Sequence, residues 1–131
     1  AEDNEINAMI TVEVLQEMGA AIDVAKNGQE AIDLFTAQEE GYYDFILMDV
    51  QMPVMDGRTA AKRIRALKRK DAKEILIFAL SADAFVEDER RSLESGMNGH
   101  FAKPVDFPAL QKKIGEFLQK RKQVDGWKKT K

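Results

Sequence analysis

The sequence has no cysteine in its 131 residues. That absence excludes a disulfide framework, a thiolate nucleophile and a cysteine-based zinc site, and it agrees with a reducing compartment, so the cytoplasm is the expected location. His100 is the single histidine, so a paired-histidine metal site is excluded as well. Three prolines and eight glycines are scattered rather than gathered into a tract, and charged residues make up 33% against 44% apolar ones. This balance belongs to a globular chain and not to a disordered one. No apolar run approaches the roughly 20 residues that a membrane span needs, and no charged-then-apolar signal segment opens the chain. No membrane contact is expected of this segment. A length of 131 residues suits one compact domain with a core of its own.

The net charge of −3 hides an asymmetry. Acids gather near the start, while Lys112, Lys113, Lys120, Arg121, Lys122, Lys128, Lys129 and Lys131 crowd the end. No aromatic ladder accompanies those cations, Trp127 standing alone among them, so a solvated last helix with a basic terminus is expected rather than a nucleic-acid arm. The expected division is a folded domain over residues 1–121 and a basic tail over residues 122–131.

Hydrophobic periodicity then divides the chain. Ile6, Ile10, Val14 and Met18 recur every four residues, which predicts a helix with that face inward, capped by Asn4 and ended by Gly19. Ile22 to Ala25 read as a short strand, with turn chemistry following at Lys26-Asn27-Gly28. A second helix is expected through Ala31, Ile32 and Phe35. Phe45-Ile46-Leu47-Met48 is an unbroken apolar run ending in a carboxylate, Asp49, as in a central parallel strand covered on both faces. Ile75 to Leu80 repeat the pattern and end at Ser81, and His100-Phe101-Ala102 end at Lys103. Helices are expected near Thr59 to Leu67, from Glu87 to Ser95, and after Asp106, where Pro108 falls in the first turn and Leu110, Ile114 and Phe117 face inward. Alternating strands and helices predict an α/β fold with a doubly wound parallel sheet, whose site forms outside the carboxyl ends of the strands. Asp49, Ser81 and Lys103 converge there if their strands are neighbours.

Such a group suits phosphoryl transfer to a carboxylate. That chemistry needs an exposed nucleophilic aspartate, a divalent cation to neutralise the incoming oxygens, and donors for the phosphoryl group. Glu2 and Asp3 supply acids that can hold Mg²⁺ together with Asp49, because a hard cation seeks oxygen ligands. Without a cation the clustered carboxylates would repel one another. Lys103 can act as a point charge and Ser81 as a hydroxyl donor. Met48, Met52 and Met55 are read as core and loop packing rather than as a metal box.

Glu2-Asp3-Asn4, Met48-Asp49-Val50-Gln51-Met52-Pro53-Val54-Met55-Asp56-Gly57, Leu80-Ser81-Ala82 and Lys103-Pro104 together resemble the response-regulator receiver domain over nearly the whole chain. The resemblance implies a flavodoxin-like sheet of order 2-1-3-4-5 with helices on both faces. It makes Asp49 the phosphoacceptor, Glu2 and Asp3 the acidic pair, and Asp3 a direct Mg²⁺ ligand. The backbone carbonyl of Gln51 completes the protein ligands to the metal, Ser81 is the switch hydroxyl, and Lys103 is the phosphate partner before a cis bond to Pro104. His100 occupies the position of the switch aromatic, usually Tyr or Phe, and is a departure from the family. The implied partner is a histidine kinase or a His-containing phosphotransfer protein. The face that receivers build from their fourth helix, fifth strand and fifth helix is the expected partner or homodimer surface.

Glu2 to Asn7 and Gly96 to Val105 look most like receivers fused to hybrid sensor histidine kinases, so a membrane-anchored parent of that kind is the expectation. Receivers open with an apolar strand running into the acidic pair, whereas this sequence opens at Ala1-Glu2-Asp3. The expectation is therefore an excerpt of a longer polypeptide, with a preceding strand that ends at Ala1 and without which the domain does not fold alone. A Mg²⁺-dependent phosphohydrolase working through an aspartyl phosphate would carry a second aspartate two residues after the nucleophile, where this chain has Gln51. A pseudo-receiver that has lost the chemistry would lack competent residues that are present here.

Overall fold

The computed structural model describes residues 1–17, 19–81, 86–103 and 105–125, and the side chains of these except 86–88 and 119–125. Among them run α1 (Glu5–Glu17), α2 (Gly28–Ala37), β1 (Phe45–Asp49), α3 (Gly57–Arg65), α4 (Lys70–Glu74), β2 (Leu76–Ser81), α5 (Val86–Glu94), β3 (Gly99–Ala102) and α6 (Phe107–Asp125). The helix starts follow local chemistry. Asn4 Oδ1 accepts from the amides of Ile6 and Asn7, both at 3.0 Å. Asn27 caps α2 through the Glu30 amide, and Asp56 caps α3 through the Thr59 amide. Gly19, at φ +93°, turns the chain after α1. Asp106 accepts from the Ala109 amide at the start of α6, where Pro108 needs no donor. Met18, Ala82 and Pro104 lie outside the described residues.

The three strands are parallel in the order β1-β2-β3, with Phe45 opposite Leu76 and Ser81 opposite Ala102. All six residues of β2 are buried, as a central strand requires. Side-chain alternation then makes two cores. Met48, Ile77 and Ala79 pack with Ala31, Ile32 and Phe35 of α2 and with Ala60, Ala61 and Ile64 of α3. Leu76 and Phe78 pack with Leu110 and Ile114 of α6 on the opposite face. Helices thus cover both faces of the sheet.

Two sequence expectations need correction. Ile22 to Ala25 form no strand: among the described residues their link toward the sheet is a single backbone bond from the Glu2 amide to the Ala25 carbonyl, at 2.9 Å. A parallel strand without a ladder beside it has nothing to fix its backbone. The inward face of α1 is also different, since Ile6 is 69% exposed and Ile10 48%. Leu15 is the buried residue of that helix, and Ala8 and Val12, half-buried, share its side. A four-residue apolar spacing marks a stripe but does not say which stripe meets the sheet. One element was unforeseen, the five-residue α4, which buries Ala72. Among the described residues no helix is long and apolar enough to cross a membrane.

Candidate functional site

The site is assembled at the carboxyl ends of the strands. Asp49 closes β1 and, contrary to the expectation of an exposed nucleophile, is only 4% exposed, Ser81 closes β2 and is 2% exposed, and Lys103 directly follows β3. The β2–β3 ladder carries Lys103 to this edge, and the Lys103 amide donates to the Ser81 carbonyl at 2.7 Å. Ala1 arrives from the other side. Its nitrogen donates to the Leu47 carbonyl at 2.6 Å, and the Asp49 amide donates to the Ala1 carbonyl at 3.0 Å. Glu2 and Asp3 follow it into the site.

One ligand oxygen from each of Glu2, Asp3 and Asp49 lies within 4.8 Å of the others. Lys103 Nζ donates to Asp49 Oδ2 at 2.8 Å and to Glu2 Oε1 at 3.1 Å. The lysine therefore sits between two carboxylates, leaving Asp3, which is exposed, at the open side. Burial raises the Glu2 pKa above the ordinary carboxylate value, and the neighbouring Asp49 adds to it against the opposing pull of Lys103. Burial alone would lower the Lys103 pKa, but Asp49 and Glu2 outweigh it and leave the ammonium held above its usual value. Three carboxylates with one lysine form an oxygen-rich, anion-heavy cluster of the kind a hard divalent cation fits.

Gln51 is exposed and donates its amide to Asp49 Oδ1 at 3.2 Å, so the loop after β1 folds back on the aspartate. Val54 in that loop adopts φ +67°, strained for a β-branched residue. Gly57 opens α3 against the backbone: a Cβ there would collide with the Asp49 carbonyl oxygen and come within 2.9 Å of Met48 Cγ. The glycine lets α3 pack directly behind the acidic centre.

His100 stands apart from the acids. Its Nδ1 is 3.2 Å from Ser92 Oγ, which in turn accepts from Arg58 Nε at 3.3 Å. Ser92 is wholly buried. This link between β3, α5 and α3 escaped sequence reasoning, because a single serine on a helix carries no signal of a partner 34 residues away. The Lys103–Glu2 bond, across 101 residues, was also unforeseen, although both residues had been assigned to one site.

The comparisons agree with this geometry. The response regulator receiver domain family matches residues 1–115. A probable histidine kinase 1 of Oryza sativa subsp. indica is 32% identical over 146 aligned residues, covering 89% of this chain and 15% of that protein. This chain therefore spans less than a sixth of that relative. The receiver domain of a downstream response regulator of Saccharomyces cerevisiae, solved in complex with its histidine phosphotransfer signaling protein, is 37% identical with a TM-score of 0.79, covering 88% of this chain and 83% of that one. The receiver domain of a sensor histidine kinase of Pseudomonas aeruginosa, solved with a magnesium ion coordinated in the active-site cleft, is 32% identical with a TM-score of 0.80, covering 91% and 93%. With this family match, a two-layered helix cover over a parallel sheet and an aspartate at the carboxyl end of β1, the chain belongs to the response regulator receiver domain family.

Proposed function

We propose that Asp49 is the phosphoacceptor of this receiver and takes a phosphoryl group from a phosphohistidine. The supporting observation is the Asp49 carboxylate at the sheet edge, 2.8 Å from Lys103 Nζ and grouped with Glu2 and Asp3. In the transfer an Asp49 carboxylate oxygen attacks phosphorus, the P–N bond breaks, and the imidazole leaves as a neutral ring after gaining a proton. Lys103 shifts from the carboxylate toward a phosphoryl oxygen, and the Ser81 hydroxyl donates to another. Glu2, Asp3, Asp49 and the Gln51 backbone carbonyl are the residues that would hold Mg²⁺, which supplies charge neutralisation for the phosphoryl oxygens. The relative solved with magnesium in its cleft supports that assignment.

The proposed phosphodonor is a histidine kinase or a His-containing phosphotransfer protein, a reading supported by the yeast complex of a receiver with a phosphotransfer protein. Ser81 and His100 are the proposed switch, acting on a partner or homodimer face made by α5, β3 and α6. We read residues 1–121 as the receiver and 122–131 as a basic tail, within a cytoplasmic segment of a hybrid sensor histidine kinase. As a signalling domain it would catalyse its own phosphorylation and dephosphorylation rather than turn over an external substrate. The test is transfer from a phosphorylated His-containing phosphotransfer protein. Loss of label from the donor with stoichiometric gain on this chain, absent in Asp49→Asn, is expected. Transfer to the Asp49→Asn variant at the wild-type rate would overturn the reading.

A further inference from the structure

Ser92 is wholly buried on α5. Among the described residues its hydroxyl oxygen meets two partners, Arg58 Nε at 3.3 Å and His100 Nδ1 at 3.2 Å. A guanidinium can only donate, so Arg58 occupies a lone pair of that oxygen. The one hydroxyl proton of a buried serine then needs an acceptor, and the ring nitrogen is the one in reach. Neutral His100 therefore accepts at Nδ1 and carries its hydrogen on Nε2.

These bonds lie where α3 holds α5. Arg58 and Arg65 stand two turns apart on one face of α3. Arg65 secures the far end of α5, its Nε donating to the Gly96 carbonyl at 2.8 Å and its Nη2 to Asn98 Oδ1 at 2.9 Å. Gly96 sits at φ +97°, and a Cβ on it would come within 2.8 Å of Arg65 Cγ, so that corner is closely fitted. The Arg58 contact differs, because it passes through a side-chain hydroxyl that also touches His100. Arg58 directly follows Gly57, which packs against the Asp49 carbonyl and donates its amide to the Val50 carbonyl at 2.9 Å. Lys103 Nζ meanwhile bonds Asp49 Oδ2 at 2.8 Å, the arrangement of a bare aspartate carboxylate.

We propose that Ser92 is a positioning residue for the switch: its hydroxyl, held by Arg58, latches the His100 ring to α5 while the Asp49 carboxylate is bare, and rearrangement of the ring on phosphorylation breaks the Ser92–His100 bond. A phenylalanine or tyrosine at position 100 would offer no ring nitrogen to such a latch, so the histidine and the buried serine form one device. The inference rests on the reading of His100 as a switch residue. A bond made in only one of two arrangements favours that arrangement by its own free energy. Removing the hydroxyl therefore shifts the unphosphorylated protein toward the phosphorylated arrangement of α5 and β3.

His100 is the single histidine, so the imidazole nitrogen signals of the untagged chain belong to it alone. At about pH 8, where an ordinary imidazole is neutral, Nδ1 should read as a bare acceptor and Nε2 as N–H, with that tautomer in at least about tenfold excess. Phosphorylation by acetyl phosphate with Mg²⁺ should remove the acceptor signature at Nδ1. In Ser92→Ala the tautomer excess should fall before any phosphodonor is added, and the α5 and β3 amide shifts of the unlabelled variant should move toward those of labelled wild type. Hydrogen on Nδ1 in wild type, an unchanged tautomer excess in the variant, or variant amide shifts that stay at the unlabelled wild-type positions would each overturn the latch while leaving the switch reading intact. Wild-type imidazole and amide signals that ignore phosphorylation would overturn the switch reading and the latch with it. If Ser92→Ala does not fold, the wild-type protein decides alone: an acceptor signature that persists after labelling overturns the proposal.

Discussion

Replacing Lys103 with methionine keeps the length and apolar stem of the side chain and removes only its charge. In the folded protein that charge lies 2.8 Å from Asp49 and 3.1 Å from Glu2, whose side chains are 6% and 12% exposed. Removing one partner of a buried ion pair costs about 3–5 kcal/mol, because the other charge stays buried without compensation. Lys103 is itself 25% exposed, so water takes over part of its role and we expect about 2–3 kcal/mol at pH 7 in EDTA. The loss must depend on pH. Burial, Asp49 and Lys103 set the Glu2 pKa, the first two raising it and the lysine lowering it. Without the lysine it rises further. A carboxyl whose folded pKa lies above its unfolded value contributes stability at low pH that is lost as pH climbs through the folded pKa. The variant should therefore be closest to wild type at pH 5 and fall behind by pH 7, and Mg²⁺ should recover part of the difference by restoring a cation. Urea unfolding of both proteins at the two pH values, with and without Mg²⁺, measures this. An equal loss at pH 5 and pH 7, or none at either, would refute the electrostatic reasoning.

Three other outcomes are expected. Gly57→Ala forces a Cβ into the Asp49 carbonyl and against Met48 Cγ, so it should lower stability by about 1–3 kcal/mol and slow phosphorylation by displacing Asp49, read by thermal melts and label incorporation. Asn98→Ala removes the side-chain oxygen that accepts from the Ile77 amide at 2.8 Å and from Arg65 Nη2 at 2.9 Å; a loss of about 1–3 kcal/mol and faster exchange at the Ile77 amide should follow. Ser81→Ala should leave labelling of Asp49 in place while NMR shifts on α5 and β3 cease to follow it, and shifts that respond as in wild type would remove Ser81 from the switch.

What could be read from the sequence tracks how local each cause is. β1 was read to the residue, since an apolar run ended by Asp49 is a pattern within five positions. Asp49, Ser81 and Lys103 were readable together because each ends a parallel strand, and register alone then brings them to one edge. Ile22 to Ala25 have the composition of a strand, yet strand state depends on a neighbouring ladder, and among the described residues the backbone bond to this stretch is that from the Glu2 amide to the Ala25 carbonyl. Ile6 and Ile10 misled for a related reason: a four-residue period marks an apolar stripe, and only the packed fold decides which stripe of α1 turns inward. α4 is too short for periodicity to register. The Arg58–Ser92–His100 chain joins three elements through side chains whose types are common on any surface, and only the fold makes them neighbours.

The most direct test of the central assignment is to map the phosphorylated residue after labelling by a small phosphodonor. The account predicts a single acyl phosphate on Asp49, formed with Mg²⁺, absent in EDTA and absent in Asp49→Asn. Label on another residue, or equal labelling in EDTA, would contradict it.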